Sequence, residues 1–166
     1  MNRNWNKDWR RSIIVMSGGF DPVHKGHLRM FREASWLGHQ VIVGFNSDDW
    51  LTRKKGQPFM DFKERKEILE GFKYINQVLA FDDSDDTASS LIKQVRTIYS
   101  GSGYNYNFLD SNPTGEAEYK LYFANGGDRT TDNVPEQKVC EQLDVEMIWG
   151  VGGGKIQSSS WLIGDK

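Results

Sequence analysis

Apolar residues along this chain fall into short, repeated blocks. Ser12 to Ser17 (SIIVMS) is a β-branched run closed by Gly18 and Gly19, and it predicts a buried strand. From Gly26 to Trp36, Leu28, Phe31 and Ala34 recur at helical spacing, and Gly38 stands where a helix-ending glycine belongs. Gln40 to Phe45 (QVIVGF) predicts a second strand. Asp61 to Phe72 predicts an amphipathic helix whose period is kept by Phe62, Arg65, Ile68, Leu69 and Phe72. A third strand is expected at Asn76 to Phe81. A helix follows from Thr87 to Tyr99, with Asp85, Asp86 or Thr87 as its N-cap. Tyr119 to Ala124 and Val145 to Trp149 read as two more strands, separated by a helix from Pro135 to Leu143. Five strands alternating with helices predict an α/β fold, a doubly wound parallel sheet covered on both faces.

One stretch breaks this rhythm. Ser100 to Gly115 (SGSGYNYNFLDSNPTG) has glycine, asparagine and tyrosine but no period, so it reads as a functional flap or an irregular insertion. The acidic cluster at Asp82, Asp83, Asp85 and Asp86 reads as a solvated strand-to-helix turn, because helix starts attract carboxylates for dipole reasons alone.

Composition narrows the function. With 21 basic against 23 acidic side chains the net charge is −2, which supplies no field for a nucleic-acid backbone. A single cysteine, Cys140, excludes an intramolecular disulfide and a cysteine zinc site. No apolar run is long enough to cross a membrane, and the opening MNRNWNKDWRRS lacks the apolar core of a secretory signal. The expectation is one cytoplasmic domain over residues 1–166, with an N-terminal arm at 1–11 and the irregular insertion at 100–115.

The chemistry concentrates in Ser17 to Leu28, SGGFDPVHKGHL. It joins the first strand to the first helix, so it lies at the carboxyl edge of the sheet, where doubly wound folds bind ligands. Glycines let a phosphate approach the backbone, and the helix start offers unpaired N–H groups. His24 and His27, three apart across Gly26, are placed to face one anion.

GGFDPVHKGHL resembles the G-x-F-D-x-x-H-x-G-H signature of the cytidylyltransferase-like nucleotidyltransferases. The resemblance runs in order from Ile13 to Ile163. It takes in Asn46-Ser47-Asp48, the basic Lys54-Lys55-Gly56, the FKERKEIL helix with Arg65, the NGGDR segment and IQSSSWLI. It implies a Rossmann-like nucleotidyltransferase fold of five strands. It also implies in-line attack of a phosphate oxygen on the α-phosphorus of a nucleoside triphosphate, with catalysis by positioning and charge neutralisation.

On this resemblance His24 and His27 hydrogen-bond the α- and β-phosphates, in protonated form at the transition state. Lys54 or Lys55, on a glycine-flanked loop, closes over the attacking phosphate, and Arg65 forks onto the β- or γ-phosphate. Gly18, Gly19, Phe20, Asp21 and Gly26 belong to the nucleotide site, with Asp21 as an orienting group. Gly126, Gly127, Asp128 and Arg129 line the base pocket, and Ser158, Ser159 and Ser160 face the leaving pyrophosphate. Lys155 stands near the position where the family usually has an arginine, and supplies a point charge in its place. Mg²⁺ is implied through the nucleotide phosphates, with no metal site made by the protein itself. The leading expectation is CMP transfer from CTP to a small phosphorylated alcohol such as glycerol 3-phosphate, by a homodimer. The alternatives are transfer from ATP to a sugar phosphate, as in the heptose-phosphate adenylyltransferases, or a catalytically weak nucleotide-binding module.

Overall fold

Five runs of β-branched and aromatic residues pair in register, with the earlier helices of the chain packed on one face of the sheet and the later ones on the other. The structure is a computed structural model that describes residues 11–99, 119–127 and 134–164. In chain order the elements are β1 (Ser12–Gly18), α1 (Lys25–Leu37), β2 (Gln40–Phe45), α2 (Asp48–Lys55), α3 (Phe62–Glu70) and β3 (Gln77–Ala80). They continue with α4 (Ser89–Ile98), β4 (Lys120–Gly126), α5 (Gln137–Gln142), β5 (Val145–Val151) and α6 (Ser159–Ile163). The strand order is β3-β2-β1-β4-β5, with every pairing parallel. This is the five-stranded, doubly wound sheet that the alternation predicts.

Strand alternation divides the core in two. Ile14, Met16, Val41, Val43, Phe45, Tyr122 and Ala124 face one side with Phe31 and Ala34 of α1 and Leu69 of α3. Ile13, Val15, Ile42, Leu121 and Phe123 face the other with Leu91, Ile92 and Val95 of α4 and Val139 of α5. Each fully buried Val, Leu, Ile, Met or Phe among them contributes about 1.5–3 kcal/mol of transfer free energy. The strand order reverses between β1 and β4, so the carboxyl ends of these strands border a crevice.

Two expectations change here. Lys54 and Lys55 belong to the last turn of a helix, α2, and not to a loop; Ser47 caps it, and Asp48 and Asp49 stand in its first turn. The N-cap of α4 is Ala88, which makes no side-chain cap bond, in place of Asp85, Asp86 or Thr87. The N-terminal arm up to Arg10, the Ser100–Gly115 stretch, and Asp128 and Arg129 lie outside the described residues. Among the described residues no helix is long and apolar enough to cross a membrane.

Candidate active site

The turn from β1 into α1 is built around two imidazoles. His24 is the N-cap of α1, and its Nδ1 accepts the Gly26 N–H at 3.1 Å. His27 reaches back so that its own Nδ1 accepts the His24 N–H at 3.3 Å. Together they form a reciprocal cap that satisfies two donors of the first turn. A side chain at Gly26 would place its Cβ 2.9 Å from Cε1 of His24, so the glycine leaves room for the folded-over ring. The rings stack with centroids 3.7 Å apart at 22°, and Phe20 meets His27 edge-on at 4.9 Å.

With both Nδ1 atoms accepting, each neutral imidazole carries its proton on Nε2. The pair therefore offers two N–H donors at the start of a thirteen-residue helix. Burial holds His24 below the usual histidine range, and burial with the charge of His24 pushes His27 down to about 3. Burial therefore disfavours the charged form of both rings.

The opposite wall comes from α2 and the loop after it. Lys54 and Lys55 line a cavity of about 650 Å³ with His27, Trp50, Phe59, Ser159 and Ser160. Lys54 Nζ lies 4.5 Å from the centre of the Trp50 ring. Lys55 Nζ donates to the Asp21 carbonyl oxygen and pairs with its Oδ2, both at 2.7 Å. Asp21, 1% exposed, also accepts the N–H groups of Phe59 at 2.7 Å and Met60 at 2.6 Å. Burial alone would raise this carboxyl, but Lys55 and the two backbone donors outweigh it and hold Asp21 below the usual range. Asp21 thus fastens the 56–60 loop to the β1–α1 turn, and its carboxylate is spent on the protein.

Arg65 overturns an expectation more sharply. It lies on the inner face of α3 and is 0% exposed. Nε donates to the Met60 carbonyl at 3.1 Å, and Nη1 to the carbonyls of Gly19 at 2.9 Å and Asn46 at 2.7 Å. Nη2 pairs with Asp48 Oδ1 at 2.7 Å, and the guanidinium lies 5.5 Å from the centre of the Phe45 ring. No fork remains for a phosphate; Arg65 gathers the ends of β1 and β2 and the approach to its own helix.

Asp83 performs a similar task, and the solvated-turn reading does not hold for it. It is buried, accepting from Asn46 Nδ2 at 3.0 Å, Ser47 N–H at 2.8 Å and Ser47 Oγ at 2.7 Å. Asp86 in the same cluster pairs with Arg53 at 3.1 Å. Trp50 and Phe59 escaped the sequence reading, and the buried role of Asp83 did too. The Asn46-Ser47-Asp48 segment signals the capped helix start after β2, but nothing local points to Asp83.

The serine segment closes the site from the far end of the chain. Ser158 caps α6 by accepting the Trp161 N–H at 3.2 Å, and Ser159 Oγ donates to the Pro22 carbonyl at 2.8 Å. Ser160 Oγ lies 3.3 Å from Ser158 Oγ and lines the large cavity. Gly152 N–H donates to Glu33 of α1 at 2.6 Å, and a Cβ at Gly152 would sit 3.0 Å from the Met30 nitrogen. The strand-to-helix loop therefore rests directly on α1. Lys155 Nζ lies 5.3 Å from the Trp161 ring centre and does not line the large cavity.

Gly18, Phe20, His27 and Gly126 border a smaller cavity of about 130 Å³ between the ends of β1 and β4, together with Asn125. Gly19, Phe20 and Asp21 border the larger one, whereas Gly127 borders neither. Among the described residues no group of three histidine, cysteine or acidic side chains is placed to hold a metal.

Comparison with known proteins gives a consistent picture. A family model described as cytidylyltransferase-like matches residues 15–151. Bifunctional protein HldE of Actinobacillus succinogenes is 32% identical over 124 residues, covering 74% of this chain and 25% of that protein. HldE of Pasteurella multocida is 33% identical over 118 residues, or 70% and 23% of the two chains. The chain thus spans about a quarter of the length of these curated relatives. A lipopolysaccharide core biosynthesis protein from Thermoplasma volcanium GSS1 superposes with a TM-score of 0.56 at 16% identity, over 82% of this chain and 93% of the other. A protein described as a nicotinate-nucleotide adenylyltransferase, from Vibrio parahaemolyticus, gives 0.56 at 14% identity, over 92% and 84%. At these identities the two structures speak for the fold.

Proposed function

The chain belongs to the cytidylyltransferase-like family of nucleotidyltransferases, and on that premise we propose that it transfers AMP from ATP to a sugar phosphate, releasing pyrophosphate. One observation carries this reading: His27, its ring stacked on that of His24, borders the same cleft as Lys54, Lys55 and Ser160. The relatives favour ATP, since they support an adenylyltransferase and not CTP in particular. A sugar phosphate as acceptor is supported by the walls of the larger cavity, where Trp50 and Phe59 offer aromatic faces to C–H groups beside two lysines. CTP with a small phosphorylated alcohol is the second reading, favoured by the family's own description.

The chemistry follows from charge. An oxygen of the acceptor phosphate attacks the α-phosphorus while the bond from that phosphorus to the bridging oxygen breaks, and pyrophosphate leaves with the electron pair. The attacking group is already an anion, so no side chain needs to remove a proton. Negative charge grows on the α- and β-phosphoryl oxygens, and fixed donors aimed there lower the barrier. The two Nε2–H groups and the α1 N-terminus act at that point without reorganising, because their Nδ1 atoms are anchored to backbone. Lys54 draws the acceptor phosphate toward the α-phosphorus. Lys55, clamped by Asp21, holds the far wall at a fixed distance. Mg²⁺ bound to the triphosphate would neutralise part of its charge.

Pyrophosphate release, followed with ATP and CTP separately against a panel of sugar phosphates and polyol phosphates, tests the proposal. Release with ATP and a sugar phosphate is the expected result. Release with CTP alone transfers the conclusion to the second reading, and binding without release from any pair overturns both.

A further inference from the structure

At the carboxyl end of β4, Asn125 is 3% exposed and only half used. Its Nδ2 donates to the Ile148 carbonyl on β5 at 3.4 Å, and this fixes which way the carboxamide faces. Its Oδ1 is buried with no hydrogen-bond partner. A buried acceptor without a partner is costly, and folded proteins seldom keep one unless a ligand or an ordered water completes it. Asn125 borders the small cavity of about 130 Å³ together with Ser17, Phe20, His27, Met30 and Phe123.

That cavity shares Phe20 and His27 with the larger one, so His27 stands between the two. In the nucleotidyl-transfer reading, on which this inference rests, the α-phosphate meets the Nε2–H of His27. The lysine-lined cavity on the β2 side receives the acceptor. The group joined to the α-phosphate through a single ester oxygen is the ribose, and the space beside His27 toward β4 is left for it. The volume admits one edge of a furanose ring and its hydroxyls, not a whole nucleoside. We propose that Asn125 Oδ1 accepts a hydrogen bond from a ribose hydroxyl of the bound nucleoside triphosphate, and so distinguishes ribonucleotides from their deoxy counterparts.

The test is a set of kcat/KM ratios, which cancel any general loss of folded enzyme. ATP, 2′-deoxy-ATP, 3′-deoxy-ATP and purine riboside triphosphate, which lacks the exocyclic amine, are compared on the wild type, Asn125→Leu and Asn125→Asp. The wild type is expected to prefer ATP over one deoxy analogue by about 10- to 100-fold, the range of a hydrogen bond to a buried acceptor. Asn125→Leu is expected to bring the ratio of ATP to that analogue down to about one. Asn125→Asp, which keeps an acceptor, retains part of the preference. A wild type indifferent to both deoxy analogues overturns the proposal without any variant. So does an Asn125→Leu variant that slows all four nucleotides equally, or one that loses discrimination only against the analogue without the amine. Where CTP and not ATP supports turnover, the deoxycytidine triphosphates replace the adenine set and the ribose assignment is read in the same way. No turnover of the wild type with any triphosphate refutes nucleotidyl transfer itself, and this proposal with it.

Discussion

The histidine pair and Arg65 stand around the same turn and use their hydrogen bonds in opposite directions. His24 and His27 spend Nδ1 on the backbone and leave Nε2–H without a bond to the described residues, and His27 borders the cleft. Arg65 turns four N–H groups inward, three onto carbonyl oxygens and one onto Asp48. Residue type alone would assign the phosphate to the arginine, which is always charged and forked. In the proposed reaction, direction assigns it instead to the imidazoles, whose Nε2 atoms make no bond to the described residues. A cationic side chain in a phosphate-binding cleft is thus a ligand only if its donors are unspent.

Breaking the inward side of this contrast should give the largest effect. Arg65→Ala leaves three carbonyl oxygens and Asp48 without their partner, and should cost about 3–5 kcal/mol of stability, read from urea unfolding. Arg65→Lys keeps the charge without the fork and should recover less than half. A normal unfolding midpoint with weakened nucleotide binding would turn Arg65 into a ligand and erase the contrast.

The outward side should respond in the rate and not in the fold. His27→Ala is expected to lower turnover by about 10²–10³, equivalent to roughly 2.7–4 kcal/mol, the cost of removing one preorganised donor to a developing oxyanion. Its thermal midpoint should move far less than that of Arg65→Ala. Near-normal turnover would remove the pair from the chemistry.

Acid sharpens the comparison further. The folded His27 titrates near 3 and the unfolded one near 6.5, so between these values the unfolded chain binds the extra proton. The stability this group contributes is complete above pH 6.5 and is lost as pH falls toward 3, with a slope of up to about 1.4 kcal/mol per pH unit. Asp21, held below 3.8, acts in the same sense but in the window below its unfolded value. His27→Gln should therefore flatten the stability curve between pH 6.5 and 4, and Asp21→Asn only its acid end. An unchanged upper limb in His27→Gln would mean that the imidazole is already charged in the fold.

The smallest effect belongs to Ser159→Ala, which removes a hydroxyl bonded to the Pro22 carbonyl and should cost about 0.5–1.5 kcal/mol of stability. A kcat/KM loss beyond tenfold at unaltered stability would move Ser159 to the outward group with His27.

The sheet and most helices were legible because period alone encodes them. β2 matches its sequence reading residue for residue, and α3 starts one residue after its cap, Asp61. α2 was missed because only Leu51 of its eight residues is buried, so it carries no apolar stripe. Its signal is the charge order, acidic at the start and basic at the end, which sequence periodicity does not weigh. Within the site, the glycine-flanked histidines announced themselves through local spacing. The roles of Arg65 and Asp83 did not, since each depends on partners from other strands. Period places Arg65 on the same inner face as Leu69 but cannot say that three carbonyl ends converge there.

One further consequence lies in what Arg65 and Asp21 hold. Arg65 grips the carbonyl oxygens at positions 19, 46 and 60, and Asp21 grips the N–H groups at positions 59 and 60. Atoms of this kind belong to the main chain and, proline nitrogen apart, come with every residue type. The frame of the cleft is therefore blind to most side-chain changes at these points. Phe59 is fastened by its N–H while its ring, 63% exposed, forms part of the cavity wall. Such an arrangement is evolvable: the lining can drift by exchange of side chains such as Phe59, while the main-chain scaffold beneath it is inherited intact.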